Sequence, residues 1–310
     1  MIKKVVVAGG GVLGSQIAFQ SAFKGKDVTV WLRSPASIER AKPKFERLKK
    51  IYLSTLESLR PLCGSDSPRY PRGMVDGLKD LTDEKIDELK EQVEKAAESI
   101  RFELDLASAF EDADLIIESV AEDPQSKIAF YESIKPYLKE DAIVVTNSST
   151  MVPGTFVSYV KDPKRYMALH FANSIWTNNT AEVMGHAETD PAVYEEVADF
   201  ARSIGMVPLL LKKEQPGYIL NSMLVPFLSA AQLLLVNGIA DAETIDKTWV
   251  LGTGAPYGPF RILDVVGLKT AYDISSAQPG MEKVAAMLKE KIDQGKTGVQ
   301  AGEGFYKYKE

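Results

Sequence analysis

At 310 residues the chain is long enough for two domains, and its 45% hydrophobic content is that of a packed globular protein. A net charge of −6, with both signs interspersed, offers no basic field for nucleic acid or an anionic membrane surface. Cys63 is the single cysteine, which excludes an internal disulfide and fits a reducing compartment.

The first apolar run, KKVVVAG (Lys3 to Gly9), reads as a strand and flows directly into Gly9-x-Gly11-x-x-Gly14 and an apolar helix. No cleavage site separates them, so the run is not read as a signal peptide. In a strand–turn–helix context this motif reads as a dinucleotide-binding turn. Gly9 makes the tight turn, Gly11 lets the backbone approach a pyrophosphate, and Gly14 permits close helix–strand packing. Val12 and Leu13 open the helix, where unpaired N–H groups and the positive dipole end face the anion.

The second strand is DVTVWL (Asp27 to Leu32). A carboxylate that binds the adenosine ribose usually stands here, about 20 positions past the glycines. Leu32, Arg33 and Ser34 stand there instead. Losing the acid removes both the ribose acceptor and its repulsion of a 2′-phosphate, and Arg33 supplies a forked, permanently charged donor with Ser34 as a hydroxyl partner. The expectation is therefore NADP(H) over NAD(H). If Arg33 only faces solvent, NAD is held by backbone instead.

From about residue 36 to 111 the chain is highly charged and too long for a simple crossover. TDEKIDELKEQVEKAAESI carries Thr82 as an N-cap and Ile86, Leu89, Val93 and Ala96–Ala97 at helical spacing, which predicts a helical excursion with a solvated face. LIIES (from Leu115), IVVTNSS (from Ile143), YMALHF (from Tyr166) and VPLLLK (from Val207) read as further strands. Runs this apolar suit a parallel sheet covered on both faces, and their alternation with helices predicts an α/β Rossmann-type doubly wound sheet. After Lys213 the strands stop. The expected division is a dinucleotide-binding domain over 1–213 and a smaller all-α domain over 214–310. The apolar stretch Gly217 to Ile239 is broken by Asn221, Ser222, Pro226, Ser229 and Gln232, so it reads as a buried helix and not a membrane span. The expected location is cytoplasmic.

Only two histidines are present. His170 ends the strand MALHF, where open α/β sheets place their ligands, whereas His186 lies in a polar turn. Glu182 follows among apolar neighbours. A buried carboxylate bonded to an imidazole fixes its tautomer and raises its pKa toward working pH, although spacing alone does not establish the contact. No His/Cys cluster suggests a metal.

GGGVLGSQIAF, NSST, LHFAN, AEVMG, GYILNSML, GAPYGPFRILDVVGL and GEGFYKY, in this order, resemble the L-3-hydroxyacyl-CoA dehydrogenase family over essentially the whole chain, with details closest to its diketoreductase branch. The resemblance implies His170 and Glu182 as the catalytic dyad. It implies Ser149 and Asn221 as groups holding the substrate oxygen, Asn173 as a substrate-side asparagine, and Glu122 and Lys127 at the nicotinamide end, with Asn147 also on the cofactor side. It further implies a small 3-oxo or 3-hydroxy acyl substrate and a homodimer formed through the helical domain. On their own, without the resemblance, NSST reads as a hydroxyl-rich turn after a strand and Asn221 as a satisfied polar group in a buried helix.

The chain departs from the family after the histidine. It reads HFANSIWTNNTAE where acyl-CoA members carry a proline-containing HFFNPVP-like stretch. Ser174, Trp176, Asn178 and Asn179 would give a more polar substrate mouth, which opens non-CoA 3-oxo or 3,5-dioxo esters as substrates. Two rival readings are a sugar-acid 3-dehydrogenase and a catalytically silent, crystallin-like dinucleotide-binding protein.

Overall fold

The computed structural model describes residues 1–308, which fall into two compact units, Met1–Ile219 and the remainder from Leu220 onward. The first unit runs β1 (Lys4–Ala8), α1 (Val12–Phe23), β2 (Asp27–Trp31), α2 (Pro35–Glu57), α3 (Asp83–Ser99), β3 (Arg101–Glu103), α4 (Leu106–Phe110) and β4 (Leu115–Glu118). It continues through α5 (Pro124–Ile134), β5 (Ile143–Thr146), β6 (Tyr166–Phe171), β7 (Thr180–Met184), α6 (Pro191–Ser203) and β8 (Val207–Leu211). One eight-stranded sheet results, in the order β3-β2-β1-β4-β5-β6-β7-β8. This is the doubly wound Rossmann arrangement.

The pleat explains why these strands are apolar throughout. Val5 and Val7 of β1 enter the core beneath α1, α2 and α3, while Val6 and Ala8 enter a second core with Phe110, Phe130 and Tyr131. Leu115 and Ile117 against Ile116, and Ile143 and Val145 against Val144, repeat the division in β4 and β5. Both faces are buried, as a parallel sheet requires.

Two strands were not evident as such in the sequence. β3 is three residues long, and it returns the expected excursion to the sheet edge beside β2 well before residue 111. β7 runs antiparallel to β6 because the connection from Phe171 to Thr180 is shorter than the dozen residues a parallel crossover needs. β8 then pairs parallel to β7 through α6 and forms an edge, with Val207 and Leu210 exposed, so it is not covered on both faces.

Within the excursion, Thr82 caps α3 by accepting from the Lys85 amide, and Ile86, Leu89, Val93 and Ala96 are its buried stripe. α7 (Tyr218–Val236) begins in the first unit and continues into the second, where α8 (Ala242–Thr253), α9 (Pro259–Val266), α10 (Leu268–Ser276) and α11 (Glu282–Asp293) follow. α7 is the one described helix long and apolar enough to cross a membrane by length and composition. The expectation of a buried helix holds on one side only. Tyr218, Leu228, Ala231 and Gln232 are buried, whereas Ile219, Leu220, Met223 and Leu234 remain exposed.

Candidate active site

The strand order reverses between β1 and β4, and doubly wound sheets bind ligands beyond the carboxyl ends of strands at such a point. The glycine turn lies there. Gly9 has φ +128°, and a Cβ on it would lie 2.3 Å from the carbonyl oxygen of Ser119 at the end of β4. A Cβ on Gly14 would lie 2.3 Å from the Gly9 carbonyl oxygen. Packing alone therefore demands both. Gly11 is different, because a Cβ there would meet nothing, so the space above it is left open to a ligand.

The start of α1 carries a second sign. Ser34, Thr82, Asp105, Asp123 and Asp190 cap α2 to α6 with side-chain oxygens, but Gly11 gives α1 no such bond. The leading amides of Val12 and Leu13 thus have no side-chain acceptor at the cap, and the helix dipole adds positive potential. These residues fit a dinucleotide pyrophosphate.

Beyond β4 and β5 a buried ionic network shapes the neighbouring loop. Glu118 is fully buried and takes the Lys127 ammonium at 2.7 Å, the Tyr131 hydroxyl at 2.8 Å and the Thr146 hydroxyl at 2.7 Å. Lys127 also reaches Glu122 at 3.2 Å. Oε1 of Glu122 accepts from the Ser148 hydroxyl, the Ser149 and Thr150 amides and the Thr150 hydroxyl, all at 2.6 to 3.0 Å. Partial burial pushes the Glu122 carboxyl up, but the Ser148 hydroxyl, Lys127 and Thr150 outweigh it and hold the group below the ordinary carboxylate range. It stays ionised, as its acceptor role requires.

The loop so held presents Ser149 to His170. Ser149 Oγ lies 3.2 Å from His170 Nε2, and Nδ1 lies 3.0 Å from Oε2 of Glu182. The β6–β7 register places His170 directly opposite Glu182, so the two side chains share a sheet face as cross-strand neighbours. Both are almost wholly buried. The carboxylate makes Nδ1 the protonated nitrogen, leaving Nε2 to exchange a proton. The other carboxylate oxygen accepts from the Ile219 amide at 2.9 Å.

Residues 72–215 match the 3-hydroxyacyl-CoA dehydrogenase NAD binding domain, and 217–308 match the C-terminal domain of the same enzymes. The mitochondrial hydroxyacyl-coenzyme A dehydrogenase of Sus scrofa is 30% identical over all of this chain and 92% of its own length. The chain belongs to the 3-hydroxyacyl-CoA dehydrogenase family. It is an oxidoreductase acting on CH–OH groups of a small-molecule substrate, with a nicotinamide dinucleotide as cofactor. A solved diketoreductase structure is 48% identical, with a TM-score of 0.85 and 99% of each chain covered. The 5-formyl-3-hydroxy-2-methylpyridine 4-carboxylate 5-dehydrogenase of Mesorhizobium japonicum is 28% identical over 99% of this chain and 91% of its own.

Against that family background, the remaining residues singled out from sequence fall as follows. Leu32 is buried beneath the glycine turn, where a Cβ on Gly10 would lie 3.0 Å from its side chain. Arg33 is exposed. Ser34 caps α2, with its hydroxyl 2.9 Å from that of Ser37. Lys127 is buried, so Glu122 is the member of that pair open to solvent. Asn147 accepts from the Phe171 amide and ties β5 to β6. Asn173 is exposed, and its carbonyl accepts from Asn178. Asn221 belongs to the second unit.

Of the four post-histidine residues expected to line a polar mouth, Asn178 is exposed and Ser174 half-buried, while the other two are turned away. Trp176 packs against the core and Tyr52, and Asn179 bonds the Gly205 carbonyl, so both turn inward. Ser174 takes φ +59°, with its amide held by Gln16 of α1. Three contributors were missed in the sequence, namely Glu118, Gln16 and Tyr218. For Glu118 the signal was present, since it is a carboxylate closing the apolar strand LIIE.

Proposed function

We propose that this enzyme interconverts 3-oxo and 3-hydroxy acyl compounds, with His170 as general acid–base, Glu182 as its partner and Ser149 as a donor to the substrate oxygen. The observation that carries the reading is the Ser149–His170–Glu182 chain of hydrogen bonds standing beyond the same sheet end as the uncapped start of α1. A bound nicotinamide supplies or takes up the hydride. During reduction, negative charge grows on the carbonyl oxygen, where the Ser149 hydroxyl donates. Such a donor is worth ~10²–10³ in rate. Protonated His170 delivers its Nε2 proton to the alkoxide, and Glu182 stabilises the imidazolium. This acid–base step contributes roughly 10²–10⁴. Asn221 is assigned as a second donor by family resemblance.

Two finer readings accompany this. Arg33, a forked cationic donor beside a position 32 that carries no acid, supports NADP(H) over NAD(H). The likeness to a diketoreductase and the altered loop after His170 favour a free 3-oxo or 3,5-dioxo ester over a CoA thioester. A homodimer is proposed through the second unit.

Steady-state reduction of one 3-oxo ester, one 3,5-dioxo ester and one 3-oxoacyl-CoA, each with NADH and NADPH, tests all of this. Turnover of an ester with NADPH, abolished in H170A, is expected. No reduction of any of the three compounds overturns the reaction class. Higher kcat/KM with NADH overturns only the cofactor reading.

A further inference from the structure

Two non-glycine residues among those described adopt left-handed backbone, Ser174 and Tyr218. A side chain in that region persists only where its surroundings over-determine it, and such residues cluster at functional sites. Tyr218 has φ +54° directly after Gly217, which has φ +79°. This double turn puts the Tyr218 ring face to face on the His170 imidazole, with centroids 4.4 Å apart and planes 15° from parallel. The ring is fully buried, and its hydroxyl donates to the Ser148 carbonyl at 2.8 Å. The next amide, that of Ile219, donates to Glu182. Two successive residues therefore touch His170, Glu182 and the neighbour of Ser149.

We infer that Tyr218 is a positioning residue that fixes the tilt of the His170 imidazole and couples it to the Ser149 loop. The Glu182 bond holds one nitrogen of the ring and so sets its direction within the ring plane. It does little against tilting out of that plane, which swings Nε2, the far nitrogen, through the largest arc. A parallel ring at contact distance opposes that motion. The phenol then anchors the clamp to Ser148, the neighbour of Ser149, so proton donor and oxygen donor move as one body. Burial pushes the phenol well above its ordinary range, with Glu122 and Glu182 adding to the effect. It remains a neutral donor to that carbonyl at every working pH.

The inference rests on His170 being the acid–base group, and the test separates the two. Y218L removes the ring, and Y218F keeps it without the hydroxyl. Y218L is expected to lower kcat by ~10- to 100-fold, the scale of a small misplacement, while KM for the cofactor stays within about two-fold. Y218F should lose less than about five-fold. Y218L with wild-type kcat, or Y218F as impaired as Y218L, overturns the clamp. If H170A is inactive and Y218L is normal, only the clamp falls; if H170A turns over normally, the acid–base assignment falls first. Should Y218L not fold, the imidazole protons of the wild-type protein decide. Only His170 and His186 contribute, and H186Q assigns them. The His170 Cε1 proton should be shifted upfield by the stacked ring, and its absence of shift overturns the proposal.

Discussion

Glu122 is an exposed carboxylate that anchors the loop carrying Ser149, the residue proposed to hold the substrate oxygen. Four donors from residues 148–150 converge on a single oxygen, and the Lys127 ammonium sits at the other. Charge-assisted bonds of this kind are stronger than neutral ones, and removing their acceptor strands every donor at once. E122A should therefore free the Ser149 loop and lower kcat by about 10²-fold, the cost of a misplaced oxygen donor. E122Q keeps an acceptor oxygen and should recover most of that loss, as steady-state rates of the two variants will show. Equal loss in both would mean that charge matters and loop anchoring does not. The carboxylate itself was legible in AEDPQSK only through family resemblance. Its partners were not, because they come from a strand end 26 to 28 residues later. His170 and Glu182 sat in plain view, but their contact depends on strand register, which composition does not encode.

At the scale of elements, apolar runs were legible and pairing direction was not. A run such as KVVVA declares itself by its β-branched residues, whereas TAEVM carries a buried charge and becomes a strand only through its partners. The short connection after Phe171 forces β7 to return antiparallel, and that reversal is what sets Glu182 beside His170. Asp114 fixes the opposite end of the sheet. Its backbone bonds both β1 and β5, while its carboxylate accepts from the amides of Lys3 and Lys4 and pairs with Lys139 at 2.5 Å. Partial burial pushes this carboxyl up, but Lys139 and the two amides prevail and bring it from 3.8 down to about 2. The unfolded chain thus takes up this proton before the folded one, so stability rises with pH across that window. The contribution, roughly 2 kcal/mol, is complete above the unfolded value and is lost as pH falls toward 2. In urea titrations, D114N should lie below wild type near pH 6 and converge with it at acid pH. A constant gap at all pH values would assign the role of Asp114 to hydrogen bonding alone.

For the whole molecule, the distribution of exposed apolar side chains bears on assembly. Most of the large hydrophobic residues left exposed fall in the second, smaller unit, among them Met223, Ile239, Leu251, Tyr257 and Val265, with Leu251 83% exposed. Isolated exposed leucines are ordinary, but for several large ones in a unit of this size we propose a surface that another body covers. The net charge of −6 argues against an anionic membrane as that body, and we propose a second copy of this chain in its place. Light scattering should then report about twice the 34.1 kDa chain mass. L251E/V265E places two charges where the apolar face would be buried, and it should shift the protein to monomer while leaving its circular dichroism intact. A wild-type protein that is monomeric at micromolar concentration rules out the second copy. A dimer that survives the double substitution moves the interface to another part of the second unit.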